Sequence, residues 1–121
     1  MRNRAVMCLG GNAPETEVLI GETFQFLASK GSVGRWSGTY RTEAENGGHG
    51  TYVNAVLQFD TDADFDVFRA ECKEYERKKR LHAAAGLVNI DIDIVIWNGD
   101  VLRPAEAASA YFRRGFAAIS V

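Results

Sequence analysis

Two aspartates in the C-terminal third of the chain give the clearest sign of chemistry. Asp91 and Asp93 lie in the run VNIDIDIVIW, residues 88–97, which alternates as a β-strand does. Side chains two positions apart on a strand point to the same face, which places these carboxylates about 7 Å apart. Two hard oxygen donors at that spacing suit Mg²⁺ that carries substrate phosphates. Acidic residues are also common on the solvated face of an antiparallel strand, so both interpretations stay open.

A basic run offers a second candidate site. It is Arg77-Lys78-Lys79-Arg80, with His82 two residues further along the chain. Cations at the C-terminal end of a helix are favoured by its macrodipole, and a run of charge is usually solvated. The same cations would also suit the phosphates of a ligand that the aspartates bind. The residue types alone do not decide between these two roles.

Tyr52 and Asn54, in the run TYVNAVLQFD, form a third candidate. On a strand they share a face, where the phenol ring offers a flat surface to a planar heterocycle and the carboxamide can bind its polar edge. Tyr52 is equally compatible with an ordinary amphipathic surface position. The run Leu9-Gly10-Gly11-Asn12 lacks the spacing of a P-loop or a dinucleotide fingerprint, so we expect a tight turn there.

The elements that must position these residues follow from apolar periodicity and turn signals. The predicted strands cover residues 4–9, 33–42, 52–60 and 88–97, and residues 100–103 are expected to pair back after the hairpin signal Asn98-Gly99. One helix is predicted over residues 15–29, and a second is capped by Asp62 or Asp64 and ends in the basic run. Residues 43–51 are predicted to form a loop, and residues 104–121 a short helix and a last extended piece.

The order β-α-β-β-α-β predicts one α+β domain over residues 1–121, of the ferredoxin-like split βαβ class. Its antiparallel sheet would carry both helices on one face and leave the other face open. Alternation assigns Asp91, Asp93 and Trp97 to one face of the last strand, and Tyr52 and Asn54 to one face of the third. We expect these sets to share the uncovered face.

Composition narrows the remaining classes of function. The chain has 121 residues, of which 46% are hydrophobic and 25% charged, as is typical of a single globular domain. Its net charge of -2 argues against a surface that binds nucleic acid or anionic lipid as a whole. No apolar run is long enough for a membrane span or a signal peptide, so we expect a cytoplasmic protein. Cys8 and Cys72 are expected to be buried and unpaired.

Five short motifs, taken in order, resemble those of one enzyme family. They are Leu9-Gly10-Gly11-Asn12, Ser37-x-x-Tyr40-Arg41-Thr42, Tyr52-Val53-Asn54, Asn89-Ile90-Asp91-Ile92-Asp93-Ile94 and Arg114-Gly115-Phe116. The series resembles hydroxymethyldihydropterin pyrophosphokinase, the HPPK family of folate biosynthesis. The resemblance runs through nearly the whole chain, and the motifs in this order are far more specific than any one of them.

The resemblance implies a reaction and its cofactor. The implied reaction moves a pyrophosphoryl group from ATP to the hydroxymethyl oxygen of 6-hydroxymethyl-7,8-dihydropterin and releases AMP. Two Mg²⁺ ions are implied, both held by Asp91 and Asp93, which act with Arg80 as the catalytic residues. The implied partners are these small molecules, with no nucleic acid and no membrane.

The resemblance also assigns substrate contacts, with the pterin ring held between two aromatic side chains, Tyr52 and Phe116. The implied pterin-binding residues are Thr42, Tyr52, Asn54 and Phe116. The implied ATP-binding residues are Arg80, His82 and Arg114.

The chain departs from the family pattern at several positions that would contact phosphate. Val88 stands where the family has an arginine, and residues 81–87 form a short, alanine-rich loop in place of a long basic lid. Ala107-Ala108 stand near the position of a Pro-His pair. Each lost charge-assisted contact costs about 1.5–3 kcal/mol. An alternative function is therefore a catalytically impaired homologue that acts as a pterin- or nucleotide-binding or regulatory module, and a weaker third is a small-ligand sensor that dimerises through a sheet edge.

Overall fold

The structure is a computed structural model that describes residues 1–44 and 50–120. Its strands are β1 (Asn3–Gly11), β2 (Ser32–Trp36), β3 (Tyr40–Glu43), β4 (Thr51–Thr61), β5 (Asp91–Trp97) and β6 (Asp100–Val101). Its helices are α1 (Thr16–Ala28), α2 (Phe65–Arg80), α3 (Pro104–Ala107) and α4 (Ala110–Ile119). The predicted α+β class is confirmed. Most of the loop predicted over residues 43–51 lies outside the described residues.

The strands form one antiparallel sheet with β1 at its centre. The order is β2-β4-β1-β5-β6, and β3 also pairs with β4. The register places Gly10 of β1 between Asn54 of β4 and Asp91 of β5. Residues that are far apart in the sequence are therefore brought to one patch of sheet by their shared neighbour.

The first face of the sheet is covered by α1 and α2 and holds the main apolar core. Ile20 and Leu27 of α1 pack there with Phe68 and Cys72 of α2. The strands contribute their alternate residues, among them Met7, Leu9, Leu57, Phe59 and Ile92, all fully buried. Burial of one large apolar side chain contributes about 1.5–3 kcal/mol, so this face supplies most of the hydrophobic stabilisation.

The second face was predicted to be open, and this prediction is wrong because α4 packs across it. Phe112 and Ile119 of α4 join Cys8, Val56 and Val95 of the sheet in a second, smaller core. The close approach requires Gly115, since a Cβ there would lie 2.5 Å from a methyl group of Val56. Helices therefore cover parts of both faces. The predicted extended piece at the end of the chain is wrong, because those residues form α4.

The predicted strand over residues 33–42 is two strands, β2 and β3, that pair with the same neighbour, β4. Gly38 lies between them with a φ of +75°, a conformation that glycine adopts without strain. The hydroxyl of Ser37 accepts a hydrogen bond of 3.0 Å from a backbone N–H of β4, which covers the gap in pairing. The break lets β3 place Thr42 opposite Tyr52.

The last long strand also differs from the prediction at its end. The register between β1 and β5 shifts at Val95, which is an extra residue in β5 and forms a bulge. Trp97 is thereby turned to the first face, where its ring meets that of Phe65 edge-on with centroids 5.2 Å apart. The assignment of Trp97 to the same face as Asp91 and Asp93 is wrong. The bulge leaves the two aspartates themselves unaffected.

The described helices include none that is both long and apolar enough to cross a membrane.

Candidate active site

A cavity of about 290 Å³ lies on the second face of the sheet, beside the end of β1. It is enclosed by β3 and β4 on one side, by the end of α2 and the start of β5 on another, and by α3 and α4 below. Six of the predicted site residues line it: Thr42, Tyr52, Asn54, Arg80, Asp91 and Asp93. Tertiary structure therefore brings together most of the residues that sequence analysis selected.

Asp91 and Asp93 both line the cavity but have different surroundings. Asp91 is partly exposed, and its Oδ1 lies 3.1 Å from Nη2 of Arg80. Asp93 is only 7% exposed. The nearest cationic groups to its Oδ1 are Nζ of Lys73 at 3.7 Å and Nε of Arg103 at 3.8 Å, both beyond hydrogen-bond distance. The negative charge of Asp93 is thus less well neutralised by neighbouring cations than that of Asp91.

The surroundings of Asp93 raise the pKa of its carboxyl from 3.8 to about 8. Burial is the largest cause, the negative charges of Asp91 and Glu106 add to it, and Arg103 opposes it. A carboxyl in such a place is stabilised by any proton or cation brought against it.

The donor set fits Mg²⁺, because two hard oxygen donors with poorly compensated charge face a cavity that can admit phosphate oxygens. Mg²⁺ commonly takes one or two protein carboxylates and completes its shell with phosphates and water. Within residues 1–44 and 50–120, no group of three or more His, Cys, Asp or Glu side chains is placed to hold a metal ion.

The Leu-Gly-Gly-Asn run lies at the end of β1 instead of forming the predicted turn, and its Gly10 lines the cavity. A Cβ on Gly10 would lie 3.0 Å from Oδ1 of Asn54, and a Cβ on Gly11 would lie 2.6 Å from the carbonyl oxygen of Val88. Asn12 then fixes Val88 from both sides. Its N–H donates to the Val88 carbonyl at 2.8 Å, and its Oδ1 accepts from the Val88 N–H at 2.7 Å. The run therefore anchors the segment that leads into β5.

Thr42 and Asn54 form a polar edge on the opposite side of the cavity. Nδ2 of Asn54 donates to Oγ1 of Thr42 at 2.7 Å, and Asn54 is 4% exposed. Tyr52 lies opposite Thr42 on the paired strand and lines the same cavity. Two hydrogen-bonding side chains beside a phenol ring suit a planar heterocycle with polar groups on one edge.

Three of the predicted site residues lie outside this cavity. His82 is exposed just beyond the end of α2. The guanidinium of Arg114 lies over the ring of Tyr40 at 4.9 Å from its centroid. Phe116 stacks on Phe112 with ring centroids 5.4 Å apart, next to the smaller core. The Arg-Gly-Phe motif is therefore packed against the sheet and its own helix.

Comparison with models of known protein families gives a match over almost the whole chain. The model described as 7,8-dihydro-6-hydroxymethylpterin-pyrophosphokinase (HPPK) matches residues 6–120. The chain belongs to the HPPK family. Among curated proteins no match is found.

Membership of the HPPK family supports a pyrophosphokinase role in folate biosynthesis, and the family in general uses ATP and Mg²⁺. The resemblance drawn from the five motifs is confirmed. The matched residues contain the whole cavity lining, from Cys8 in β1 to Tyr111 in α4.

Two residues that line the cavity of this HPPK chain, Glu106 and Tyr111, were not found by sequence analysis. Glu106 is 9% exposed, and its carboxylate accepts from Nε of Arg103 at 2.6 Å and from Oη of Tyr111 at 2.8 Å. Burial and then Glu106 raise the pKa of Tyr111, which keeps the phenol a donor. Arg103, Glu106 and Tyr111 are brought to this part of the sheet only because α3 and α4 fold against it. No local sequence pattern marks them.

A second cavity of about 320 Å³ lies at the outer edge of β5 and shares Asp93 with the first. Because β6 pairs only with the end of β5, the backbone of Ile92 meets side chains of α2 instead of a strand. Its N–H donates to Oε2 of Glu76 at 2.7 Å, and its carbonyl accepts from Nζ of Lys73 at 2.9 Å. The cationic residues that line this cavity are Arg69, Lys73 and Arg103. Sequence analysis also missed this site.

Proposed function

We propose that this chain transfers a pyrophosphoryl group from ATP to 6-hydroxymethyl-7,8-dihydropterin and releases AMP. The observation that carries the proposal is one cavity that holds both the Asp91–Asp93 pair and the Thr42–Asn54 edge. A metal-bound triphosphate and a heterocycle can meet in that space. The strand order, with α1 and α2 on one face, supports a ferredoxin-like split βαβ arrangement to which α4 is added. A cytoplasmic location belongs to the same proposal.

The pterin is assigned to the part of the cavity next to β3 and β4. The hydroxyl of Thr42 accepts from Asn54 and keeps its own proton for a ring nitrogen or oxygen. The carbonyl oxygen of Asn54 can accept from a ring N–H or amino group. Tyr52 offers its ring to a face of the pterin. These three residues together select a planar molecule with donors and acceptors along one edge.

ATP is assigned to the second cavity, from which its phosphates reach the aspartates. The two cavities share Asp93, so a triphosphate lying across the edge of β5 would reach the pterin. The cations Arg69, Lys73 and Arg103 would offset its charge. His82 and Arg114 stay predictions from the resemblance, since the structure places them away from the first cavity.

Asp91 and Asp93 would hold the Mg²⁺ ions, two in number by the resemblance. When bound, Mg²⁺ neutralises phosphate charge and polarises the phosphoryl oxygens. The present partner of Asp91 is Arg80, in a pair whose side chains are 42% and 44% exposed. Such exposed pairs contribute little free energy, so exchange of the guanidinium for a metal costs little. Arg80 is then available to a phosphate oxygen.

The reaction requires no protein nucleophile, because the hydroxymethyl oxygen can attack the β-phosphorus of ATP directly. The bond that forms joins that oxygen to the β-phosphorus, and the bond that breaks joins the β-phosphorus to the oxygen bridging it to the α-phosphorus. AMP leaves with that oxygen, and the proton of the hydroxymethyl group passes to solvent. The contribution of the chain is to hold two substrates in contact and to neutralise developing charge. The burial of Asp93 strengthens these electrostatic interactions, since the surroundings are poorer in water.

The proposal is tested by measuring AMP release from ATP with purified protein. We expect AMP only when pterin, ATP and Mg²⁺ are all present. Asp93→Asn should lower the rate at least about 100-fold, because it removes a charge from the reacting centre. The matched control is Asp60→Asn, which changes an acidic residue at the far end of β4 in an ion pair with Arg4. Absence of AMP from wild-type protein that binds both substrates would contradict the proposal.

A binding module with impaired catalysis is the second candidate, and Val88 is the observation that favours it. Val88 lines the cavity with an apolar side chain where the resemblance expects an arginine. The test is Val88→Arg, assayed for both AMP release and pterin affinity. A gain of about tenfold or more in AMP release at unchanged affinity indicates an impaired enzyme. Pterin binding with no AMP release from either protein indicates a module.

A further inference from the structure

Arg103 lies at the wall between the two cavities and is held there by one buried carboxylate. It lines the second cavity, Glu106 lines the first, and Asp93 lines both. We propose that Glu106 is a positioning residue, whose hydrogen bond to Nε of Arg103 directs the guanidinium toward a phosphate oxygen of ATP. The inference rests on the function proposed above, because it concerns the nucleotide of the same reaction.

The local fold of α3 brings Glu106 to Arg103. Pro104 begins the helix, and the carbonyl of Arg103 accepts from the N–H of Ala107 at 2.9 Å, which closes one helical turn. Residues three apart on such a turn lie on the same side of it, so the two side chains are neighbours. Oε1 of Glu106 accepts from Nε of Arg103 at 2.6 Å, a short, charge-assisted hydrogen bond.

Glu106 can hold the guanidinium because its own side chain is held in place. The side chain of Glu106 is 6% exposed, whereas that of Arg103 is 51% exposed. The second carboxylate oxygen, Oε2, accepts from Oη of Tyr111 at 2.8 Å. A buried carboxylate with both oxygens bound has little freedom to move. Glu106 is therefore the fixed end of the pair, and Arg103 is the end that reaches the cavity.

The bond through Nε leaves the terminal nitrogens of Arg103 unused. Within residues 1–44 and 50–120, no hydrogen bond is donated by Nη1 or Nη2 of this residue. Asp93 does not engage the guanidinium either, because its Oδ1 lies 3.8 Å from Nε. Paired terminal N–H groups match the spacing of phosphate oxygens, which arginine binds in a forked geometry. Arg103 is thus oriented and still able to bind a phosphate.

The other cations that line the second cavity, Lys73 and Arg69, lack this combination. Nζ of Lys73 donates to the carbonyl of Ile92 at 2.9 Å and lies 3.4 Å from Oε2 of Glu76, so it stabilises the edge of β5. Arg69 is exposed, and in the described part of the chain no hydrogen bond or ion pair fixes its side chain. Of these three lining residues, Arg103 is the one that is both fixed and free to donate.

The experiment measures the dissociation constant of the Mg²⁺ complex of α,β-methylene-ATP by calorimetry. Glu106→Ala should weaken binding about tenfold, because the guanidinium loses its anchor. Glu106→Gln, whose amide oxygen still accepts from Arg103, should bind at least as tightly as wild type, since it keeps the hydrogen bond and removes a negative charge. If Glu106 acted only as a negative charge near the phosphates, Glu106→Ala would strengthen binding. That result overturns the inference.

A double-mutant cycle tests whether Glu106 acts through Arg103. Arg103→Gln should weaken binding about tenfold, and Glu106→Ala should have no further effect in that background. Additive losses in the double variant overturn the inference. Arg103→Lys keeps the charge without the forked donors and should also weaken binding about tenfold. This variant tests the inference even if Glu106→Ala does not fold, because wild-type affinity in Arg103→Lys overturns it.

The matched control is Glu74→Ala, which breaks an Arg–Glu pair of the same spacing on the exposed part of α2. Oε1 of Glu74 accepts from Nη2 of Arg77 at 2.7 Å, and neither residue is among the described lining residues of the two cavities. Nucleotide affinity should therefore stay within about threefold of wild type. Equal losses in Glu74→Ala and Glu106→Ala overturn the inference. Thermal unfolding of each variant checks that the fold is kept.

The outcomes separate this inference from the proposed function. Unchanged or tighter nucleotide binding in Glu106→Ala, together with AMP release by the wild-type protein, overturns the inference and leaves the proposed function standing. Absence of nucleotide binding by the wild-type protein overturns the proposed function and the inference together.

Discussion

Ile92 and Asp93 are neighbours on β5, and they face opposite sides of the same sheet. Ile92 is fully buried among apolar side chains, beneath α2. Asp93 is nearly as buried, yet it carries a carboxyl whose nearest cationic groups lie beyond hydrogen-bond distance. The first face gains free energy from every side chain that it buries. The second face buries charge at a cost in stability, which is typical of functional sites.

The first face should show the largest effect on stability. Phe68→Ala removes a fully buried ring that stacks on Phe59 with centroids 5.0 Å apart, and we expect a loss of about 3–5 kcal/mol in the free energy of unfolding. The matched control, Val67→Ala, changes an exposed neighbour on α2 and should cost less than about 1 kcal/mol. Urea denaturation measures both. A loss below about 1 kcal/mol in Phe68→Ala would show that this face is not the main source of stability.

The second face should give an effect of opposite sign. Asp93→Asn should raise the free energy of unfolding of the metal-free protein by about 1–4 kcal/mol near pH 8, because a neutral amide replaces a carboxyl whose charged form is disfavoured by burial. It should also lower the rate of AMP release at least about 100-fold. Substitution of a site residue would then stabilise the fold while it removes the activity.

The pH dependence follows from the same residue. Burial raises the pKa of the Asp93 carboxyl from 3.8 to about 8, so between these values the folded protein is expected to hold a proton that the unfolded chain has released. Stability should therefore fall as pH rises from about 4 to 8, and Asp93→Asn should remove that slope. Urea denaturation in EDTA across this range measures it. The control, Asp60→Asn, should keep the slope, since Arg4 holds the pKa of Asp60 below its ordinary value. The same slope in wild type and Asp93→Asn would contradict the assignment.

Substitution of two glycines, Gly10 beside the cavity and Gly21 on α1, should have smaller effects of opposite sign on stability. A methyl group on Gly10 would lie 3.0 Å from the Asn54 carboxamide, so Gly10→Ala should weaken pterin binding about tenfold and cost about 1 kcal/mol of stability. Gly21 on α1 has open space around its Cα, so Gly21→Ala should stabilise the protein by about 0.5–1 kcal/mol. Calorimetry and urea denaturation measure the pair. Equal effects on pterin affinity would place Gly10 outside the site.

The smallest expected difference between the two faces is in the reactivity of their cysteine thiols. Cys8 and Cys72 are free and buried on opposite faces. Burial raises the pKa of Cys72 to about 12 and that of Cys8 well above its ordinary value. Both thiols should therefore react slowly with iodoacetamide at pH 8 in the folded protein and rapidly in urea. Of the two, only Cys8 lines the first cavity, to which the pterin is assigned. Pterin should therefore slow the alkylation of Cys8 further and leave that of Cys72 unchanged. Mass spectrometry measures the alkylation rate of each cysteine. A rate that falls with pterin at Cys72 and not at Cys8 would contradict the assignment of the pterin to this cavity.

Sequence analysis predicted the elements that have strong periodicity and missed those that depend on packing. Helix α1 was predicted to within one residue at each end, because its apolar stripe and turn signals are local. The bulge at Val95 and the break at Gly38 were missed, since each depends on pairing with a strand far away in the sequence. Helix α4 was missed in part, because it has only ten residues and so gives a short periodic pattern.

The site residues show the same difference between local pattern and tertiary packing. Six of its predicted residues come from strands and from the end of α2, and the structure gathers all six in one cavity. Phe116, His82 and Arg114 were assigned by resemblance, and the structure places them outside the cavity. Phe116 and Arg114 lie on α4, whose packing against the sheet sets their positions, and His82 is exposed beyond the end of α2. Glu106 and Tyr111 had no motif to mark them.

The sequence by itself determined the family, the order of the elements and the pair of aspartates on one face of a strand. These properties depend on residue types at fixed local spacing, which alternation and helical periodicity convert directly into geometry. Tertiary structure alone decided which side chains meet across β1, that α4 covers the second face, and that Tyr111 lines the cavity in place of Phe116. Each of these depends on contacts between distant segments, whose outcome is set by how side chains of particular volume pack together.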